Sequence, residues 1–114
     1  MDMDIELARY IDVKDALARI GGNMDLYKRL LGRFIDGNHF DALDVALQSG
    51  NTEEAAHLAH TLKGVSANLS LIEVRTISAN LEQAVKGGLD HTAPLAELKD
   101  AYDVTVRKIK ELIG

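Results

Sequence analysis

The sequence has no cysteine, no tryptophan and a single proline, Pro94. Without cysteine there is no disulfide framework, no thiolate nucleophile and no cysteine-ligated zinc or iron–sulfur centre. Aromatic residues make up only 4%, and 13 Lys and Arg against 18 Asp and Glu leave a formal charge of −5. Nucleic-acid binding calls for a cationic excess and stacking platforms, and the chain offers neither. No run approaches the ~18 consecutive apolar residues of a membrane span. The opening Met1-Asp2-Met3-Asp4-Ile5-Glu6 is acidic where a secretory leader is basic, and no apolar stretch follows it. A cytoplasmic chain is expected. Its 46% hydrophobic content is that of a globular protein, and 114 residues suit one core.

With so little proline, long segments are free to be helical. The first helix is expected over 13–20, with Asp12 as N-cap and Gly21-Gly22 as the stop. Asn23 then caps a segment in which Leu26, Leu30, Leu31, Phe34 and Ile35 recur every three or four residues. Leu43, Ala46 and Leu47 resume that period; Gly37-Asn38 can either end the helix or bend it, and the favoured reading is one long helix over 24–48, bent there and closed by Gly50. Asn51 stands three residues before Glu54, the spacing of a capping box, and opens a helix running to Asn68 or Leu69. Ser70-Leu71-Ile72-Glu73 reads as a second capping box, opening a helix over 71–86 that Gly87-Gly88 ends. Asp90 or Thr92 caps the last helix, whose stripe is Leu95, Leu98, Tyr102, Val106, Ile109 and Ile113. No segment alternates with period two. The expected fold is all-α: an antiparallel up-down four-helix bundle with a short additional N-terminal helix, in one domain over 1–114 with 1–9 as a lead-in.

The helix after Asn51 carries the chemical information. With His60 at zero on a wheel of about 100° per residue, Leu58, Leu62, Val65 and Leu69 fall within roughly 40° of the opposite pole. Ala55, Ala59 and Ser66 widen that core stripe, so His60 points away from the core. On its own side lie Glu53, Ala56, His57, Lys63, Gly64, Ala67 and Asn68. Ala56, Gly64 and Ala67 are small and leave the imidazole standing proud. Gly64 costs about 1 kcal/mol against alanine inside a helix, which points to close approach by a backbone or a ligand. Lys63, one turn from the ring, is placed to meet an anion on it. These three suit attack by an imidazole nitrogen on a phosphoryl group, with Lys63 offsetting charge and Gly64 leaving room.

The run His60-Thr61-Leu62-Lys63-Gly64-Val65-Ser66-Ala67-Asn68-Leu69 resembles the signature of histidine phosphotransfer (HPt) domains of two-component phosphorelays. That signature is His, any, Leu, Lys, Gly, any, Ser or Ala, two more, then an aliphatic residue. Gly21-Gly22-Asn23, Leu26-Tyr27 and Leu30 to Phe34 resemble the family's opening helices, and Leu81-Glu82 with Gly87-Gly88 its helix after the active one. The resemblance spans residues 10–112. It implies a phosphocarrier, not an enzyme with its own nucleotide site: His60 accepts a phosphoryl group from a receiver domain's phospho-aspartate and passes it to another receiver's aspartate. It implies no cofactor of the chain's own, the Mg²⁺ coming from the receiver. The implied partners are response-regulator receivers and a hybrid sensor kinase, with no nucleic acid and no membrane, the chain itself being a monomer. By position Lys63 is the charge stabiliser and Gly64 the clearance residue. Where some members carry Gln on the next helix, this chain has Glu82, which can hold Nδ1–H and leave Nε2 free yet would repel a phosphate brought too close. Lys86 is the nearest second basic residue, and the small Ala56 and Ala67, with apolar groups of the preceding helix, are the expected docking contacts.

Two other readings compete. Glu54-Ala55-Ala56-His57 is a Glu-x-x-His unit of the kind found in di-iron bundles, but it has no second copy and points partly away from the apolar stripe. A helical adaptor without chemistry would leave Lys63 and Gly64 unexplained. His57 is read as an ordinary exposed residue with a weaker supporting role, and His39 and His91 as helix-end residues.

Overall fold

The computed structural model describes residues 7–114. Of the lead-in expected over 1–9, residues 1–6 lie outside the described ones, whereas 7–10 are helical. The helices that follow are α1 (Val13–Arg19), α2 (Met24–Gly37), α3 (His39–Gln48), α4 (Thr52–Asn68), α5 (Ile72–Lys86) and α6 (Thr92–Ile113). Among the described residues all regular structure is helical, apart from one isolated antiparallel bridge between Ile11 and Leu71.

Short polar side chains start three helices where the sequence places them. Asp12, Asn23 and Asn51 each accept the N–H three residues on, from Asp15, Leu26 and Glu54. At Asn51 only this half of the capping box forms, since the Asn51 N–H goes to the Ala46 carbonyl. The last helix begins one residue after His91, and Asp90 supplies the side-chain bond, accepting the Thr92 N–H at 2.9 Å. Gly50 and Gly88 close α3 and α5 with φ of +75° and +66°, a left-handed turn that glycine makes without steric cost.

Two expectations fail for the same reason, a non-glycine residue in the left-handed region. The long helix over 24–48 is broken rather than bent. Asn38 has φ 46° and ψ 52°, which ends α2 and starts α3, and its side-chain amide donates to Asp41 at 2.7 Å. The second capping box does not form. Ser70 has φ 56° and terminates α4, with Ser70 N–H bonded to Ala67 O and Leu71 N–H to Ser66 O. Its hydroxyl instead donates to Asp15 at 2.7 Å and accepts from Arg19. Helix α5 therefore starts from Leu71 with no side-chain cap.

Each main helix commits at least one aliphatic side chain entirely to the core: Leu31, Leu43, Leu62, Leu81, and both Leu98 and Ile109 on α6. Each such burial is worth about 1.5–3 kcal/mol before entropy is counted. Helix α4 packs between α3 and α5, α5 continues onto α6, and α6 returns to α2 and α3, closing a ring around that core. Tyr27 of α2 donates its buried hydroxyl to Leu69 O at 2.7 Å, and Arg19 of α1 donates to Ala67 O at 2.9 Å. Both bonds anchor the C-terminal end of α4. The helix is thus held at its cap, along its buried face and through the turn into α5, a rigid support for what its outer face carries.

Candidate functional site

Helix α4 buries Ala55, Ala56, Ala59, Leu62 and Ser66. The buried stripe is rotated from the one expected. Leu58 and Val65 are only half-buried, and Ala56, expected on the open side, is 9% exposed. The rotation follows from the neighbours: α4 packs against both α3 and α5, so it is covered on two flanks instead of one. Ser66 sits in the core because its hydroxyl proton is satisfied within the helix, by Leu62 O at 2.7 Å and Lys63 O at 3.0 Å.

His60 stands on the free side of α4, its side chain 63% exposed. Facing it from α5 is Glu82, only 4% exposed. A buried carboxylate is costly unless paired, and Glu82 is paired three times. Oε2 lies 3.0 Å from His60 Nδ1 and 2.8 Å from Lys86 Nζ, and Oε1 lies 2.8 Å from Lys63 Nζ. Burial pushes the Glu82 carboxyl up, but hydrogen bonds from Lys63, Lys86 and His60 outweigh it and hold the group at about 2. Glu82 is therefore an ionised, acceptor-only group at neutral pH. The ring atom that faces it must donate, so Nδ1 carries the proton and Nε2 of a neutral imidazole keeps its lone pair.

The surroundings divide into two grooves. One, of about 560 Å³, is lined by Thr52, Glu53, Ala56, His57, His60, Glu82, Val85 and Lys86. The other, of about 490 Å³, runs beside Lys63 and Gly64 to Ala67, Arg75, Thr76, Ala79 and Asn80. Gly64 is exposed, and a Cβ built on it would meet nothing within 4 Å. No neighbouring helix needs that glycine for packing, so its absent side chain opens space only to something arriving from outside. Ala67 is half-buried in the same groove. Helix α3 exposes Val45 at 66%, an apolar group of the kind expected from the helix before α4.

The structure thus brings His60, Lys63, Glu82 and Lys86 into one hydrogen-bonded cluster. His57 lines the groove without joining it. Of the two parts open to Glu82 in the sequence, holding Nδ1–H or repelling a phosphate, the contact to His60 Nδ1 matches the first. The Glu82 charge is covered by two ammoniums, and the carboxylate organises the cluster. Part of that signal was visible as the i,i+4 pair of Glu82 and Lys86; the reach of Lys63 from α4 was not. The Glu54-x-x-His57 unit lies exposed, and among the described residues no group of three or more His, Asp or Glu could hold a metal ion.

A family model described as the Hpt domain matches residues 30–111. That stretch includes α4 and α5 whole and leaves out the opening segment around Gly21 to Tyr27, where the resemblance had been extended. No curated protein and no solved structure gives a significant match. Among the described residues no helix is long and apolar enough to cross a membrane. The matched stretch holds most of the chain, with His60, Lys63, Gly64 and Glu82 inside it, and the chain belongs to the Hpt domain family, the phosphocarrier modules that work with receiver domains and kinases in two-component signalling.

Proposed function

We propose that this chain is a phosphorelay intermediate in which Nε2 of His60 takes a phosphoryl group from one receiver's phospho-aspartate and delivers it to another receiver's aspartate. In the first step the Nε2 lone pair forms the N–P bond while the acyl-phosphate P–O bond breaks and the aspartate carboxylate leaves. The observation that carries the reading is the exposed imidazole whose Nδ1 is held at 3.0 Å by a buried carboxylate. That contact selects the tautomer with Nε2 free and fixes the ring's orientation before any partner arrives.

The other residues take their parts from position. Lys63 and Lys86, each 2.8 Å from Glu82, are flexible cations within reach of a phosphoryl group on the ring. Gly64 leaves clearance for the donor. Val45 and Ala67 supply apolar contact for a receiver, in a modest interface suited to transient exchange. In this reading the Mg²⁺ belongs to the receiver and the carrier has no nucleotide site. With α2 and α3 taken as one interrupted arm, the helices form an antiparallel up-down four-helix bundle with α1 appended. The carrier works in the cytoplasm as a monomer, alone or joined to a hybrid kinase.

The test is incubation with a phosphorylated receiver. Acid-labile, base-stable label is expected on the wild type and not on His60→Gln. Undiminished labelling of that variant refutes the assignment.

A further inference from the structure

We propose that the Glu82 carboxylate keeps the proton on Nδ1 after Nε2 of His60 is phosphorylated, so that phospho-His60 persists as an imidazolium and stays a strong phosphoryl donor above neutral pH. The inference rests on the phosphocarrier reading and concerns what tunes the carried group.

The chemistry turns on one proton. When the Nε2 lone pair forms the N–P bond, the ring holds hydrogen on Nδ1 and phosphorus on Nε2 and is cationic. If Nδ1 then loses its proton to water, onward transfer must expel an imidazolide anion, a poor leaving group. If the proton stays, the N–P bond breaks with its electron pair returning to Nε2, and neutral imidazole leaves as the phosphorus bonds to the acceptor's carboxylate oxygen. No proton then moves in either direction of transfer.

Two features of the site favour the second course. The first is direct: the atom facing Nδ1 at 3.0 Å is a carboxylate oxygen, and its side chain is only 5% exposed, so a charge-assisted bond forms where water competes weakly. The second is the charge of the surroundings. Glu82 and Lys86 face the ring from α5, and Lys63 from α4, with His57 and Glu53 farther along the groove. With an unmodified ring, the carboxylate and the two ammoniums sum to a single positive charge. A phosphoryl dianion on Nε2 reverses that to a single negative charge, the sign that retains a ring proton. Glutamine at this position would keep a carbonyl acceptor, and with it the tautomer, but not the charge. The Gln variant therefore separates positioning the ring from holding its proton.

The experiment uses phosphoramidate as a small phosphodonor, so that no receiver is involved. Wild type and Glu82→Gln are phosphorylated, and loss of the phosphoryl group is followed by ³¹P NMR from acid to alkaline pH. Loss is fast while the ring is protonated and slows as it is not. The wild type should hold its fast phase to higher pH, with the midpoint about one pH unit above that of the variant, or about tenfold faster loss on the alkaline side. Coincident midpoints overturn the proposal. A measurement on the wild type alone guards against a variant that does not fold: in ¹⁵N-histidine-labelled phosphoprotein at about pH 8, Nδ1 should give the shift of a protonated ring nitrogen, and a shift of the unprotonated type overturns the proposal. His60→Gln taking up phosphate at the wild-type rate is a different failure, since it removes the phosphocarrier reading beneath this one.

Discussion

Replacing Gly64 with alanine should make this protein more stable and a poorer phosphocarrier. Gly64 lies in the interior of α4, exposed, and a Cβ there meets no atom within 4 Å. The substitution therefore adds no contact and causes no clash in the isolated protein. What remains is the difference in helix propensity, about 1 kcal/mol in favour of alanine, because glycine loses more backbone freedom on entering a helix. In a chain of this size that corresponds to a rise of about 4 °C in Tm. Thermal unfolding followed by circular dichroism at 222 nm reads the shift. The functional cost should grow with side-chain size. Alanine narrows the approach beside Lys63, and glutamine fills it while leaving the helix equally well formed. Misplacing reacting atoms by about 1 Å costs on the order of a hundredfold in rate, so Gly64→Gln should lose at least tenfold in transfer from a phosphorylated receiver. A Tm lowered by Gly64→Ala would show that the fold itself needs this glycine. Transfer at the wild-type rate by Gly64→Gln would refute the clearance argument.

Two further substitutions test the framework. Thr105 on α6 is fully buried and its hydroxyl has no hydrogen-bond partner among the described residues, so the nearly isosteric Thr105→Val should stabilise by about 1 kcal/mol in urea unfolding, and a loss of stability would reveal a bond that the structure does not contain. Asn38 holds φ 46° at the break between α2 and α3, so Asn38→Ala should cost about 1–2 kcal/mol relative to Asn38→Gly, and equal stability of the two variants would show that the left-handed break is not fixed at this residue.

Much of the molecule is legible in the order of its residues, and the gaps have physical causes. Helix starts at Asp12, Asn23 and Asn51 and stops at Gly50 and Gly88 follow from bonds made within four or five residues, so local sequence contains them. Ser70 misleads because its hydroxyl had two uses open to it. It could cap α5 locally, but Asp15 and Arg19, far away in sequence, compete for it and win once α1 docks on the turn. Asn38 misleads because a bend and a break share the same Gly-Asn signal, and which one forms depends on how α2 and α3 each settle against α6. Ala56 is buried because α4 has neighbours on two sides, whereas a wheel assumes one.

The site divides along the same line. Helical periodicity is enough to turn His60 outward and to set Lys63 one turn away, and helix propensity is enough to mark Gly64 as out of place unless something must approach. The part of Glu82 is set by packing between helices, beyond the reach of local pattern. Whether a carboxylate repels a phosphate or steadies the histidine depends on which groups meet it across a helix–helix interface. Helix α5 carries Glu82 and Lys86, α4 brings His60 and Lys63, and their packing buries the carboxylate against three hydrogen-bonding nitrogens. Burial alone would have made Glu82 a liability. Three partners delivered by two helices make it the group that orients the histidine.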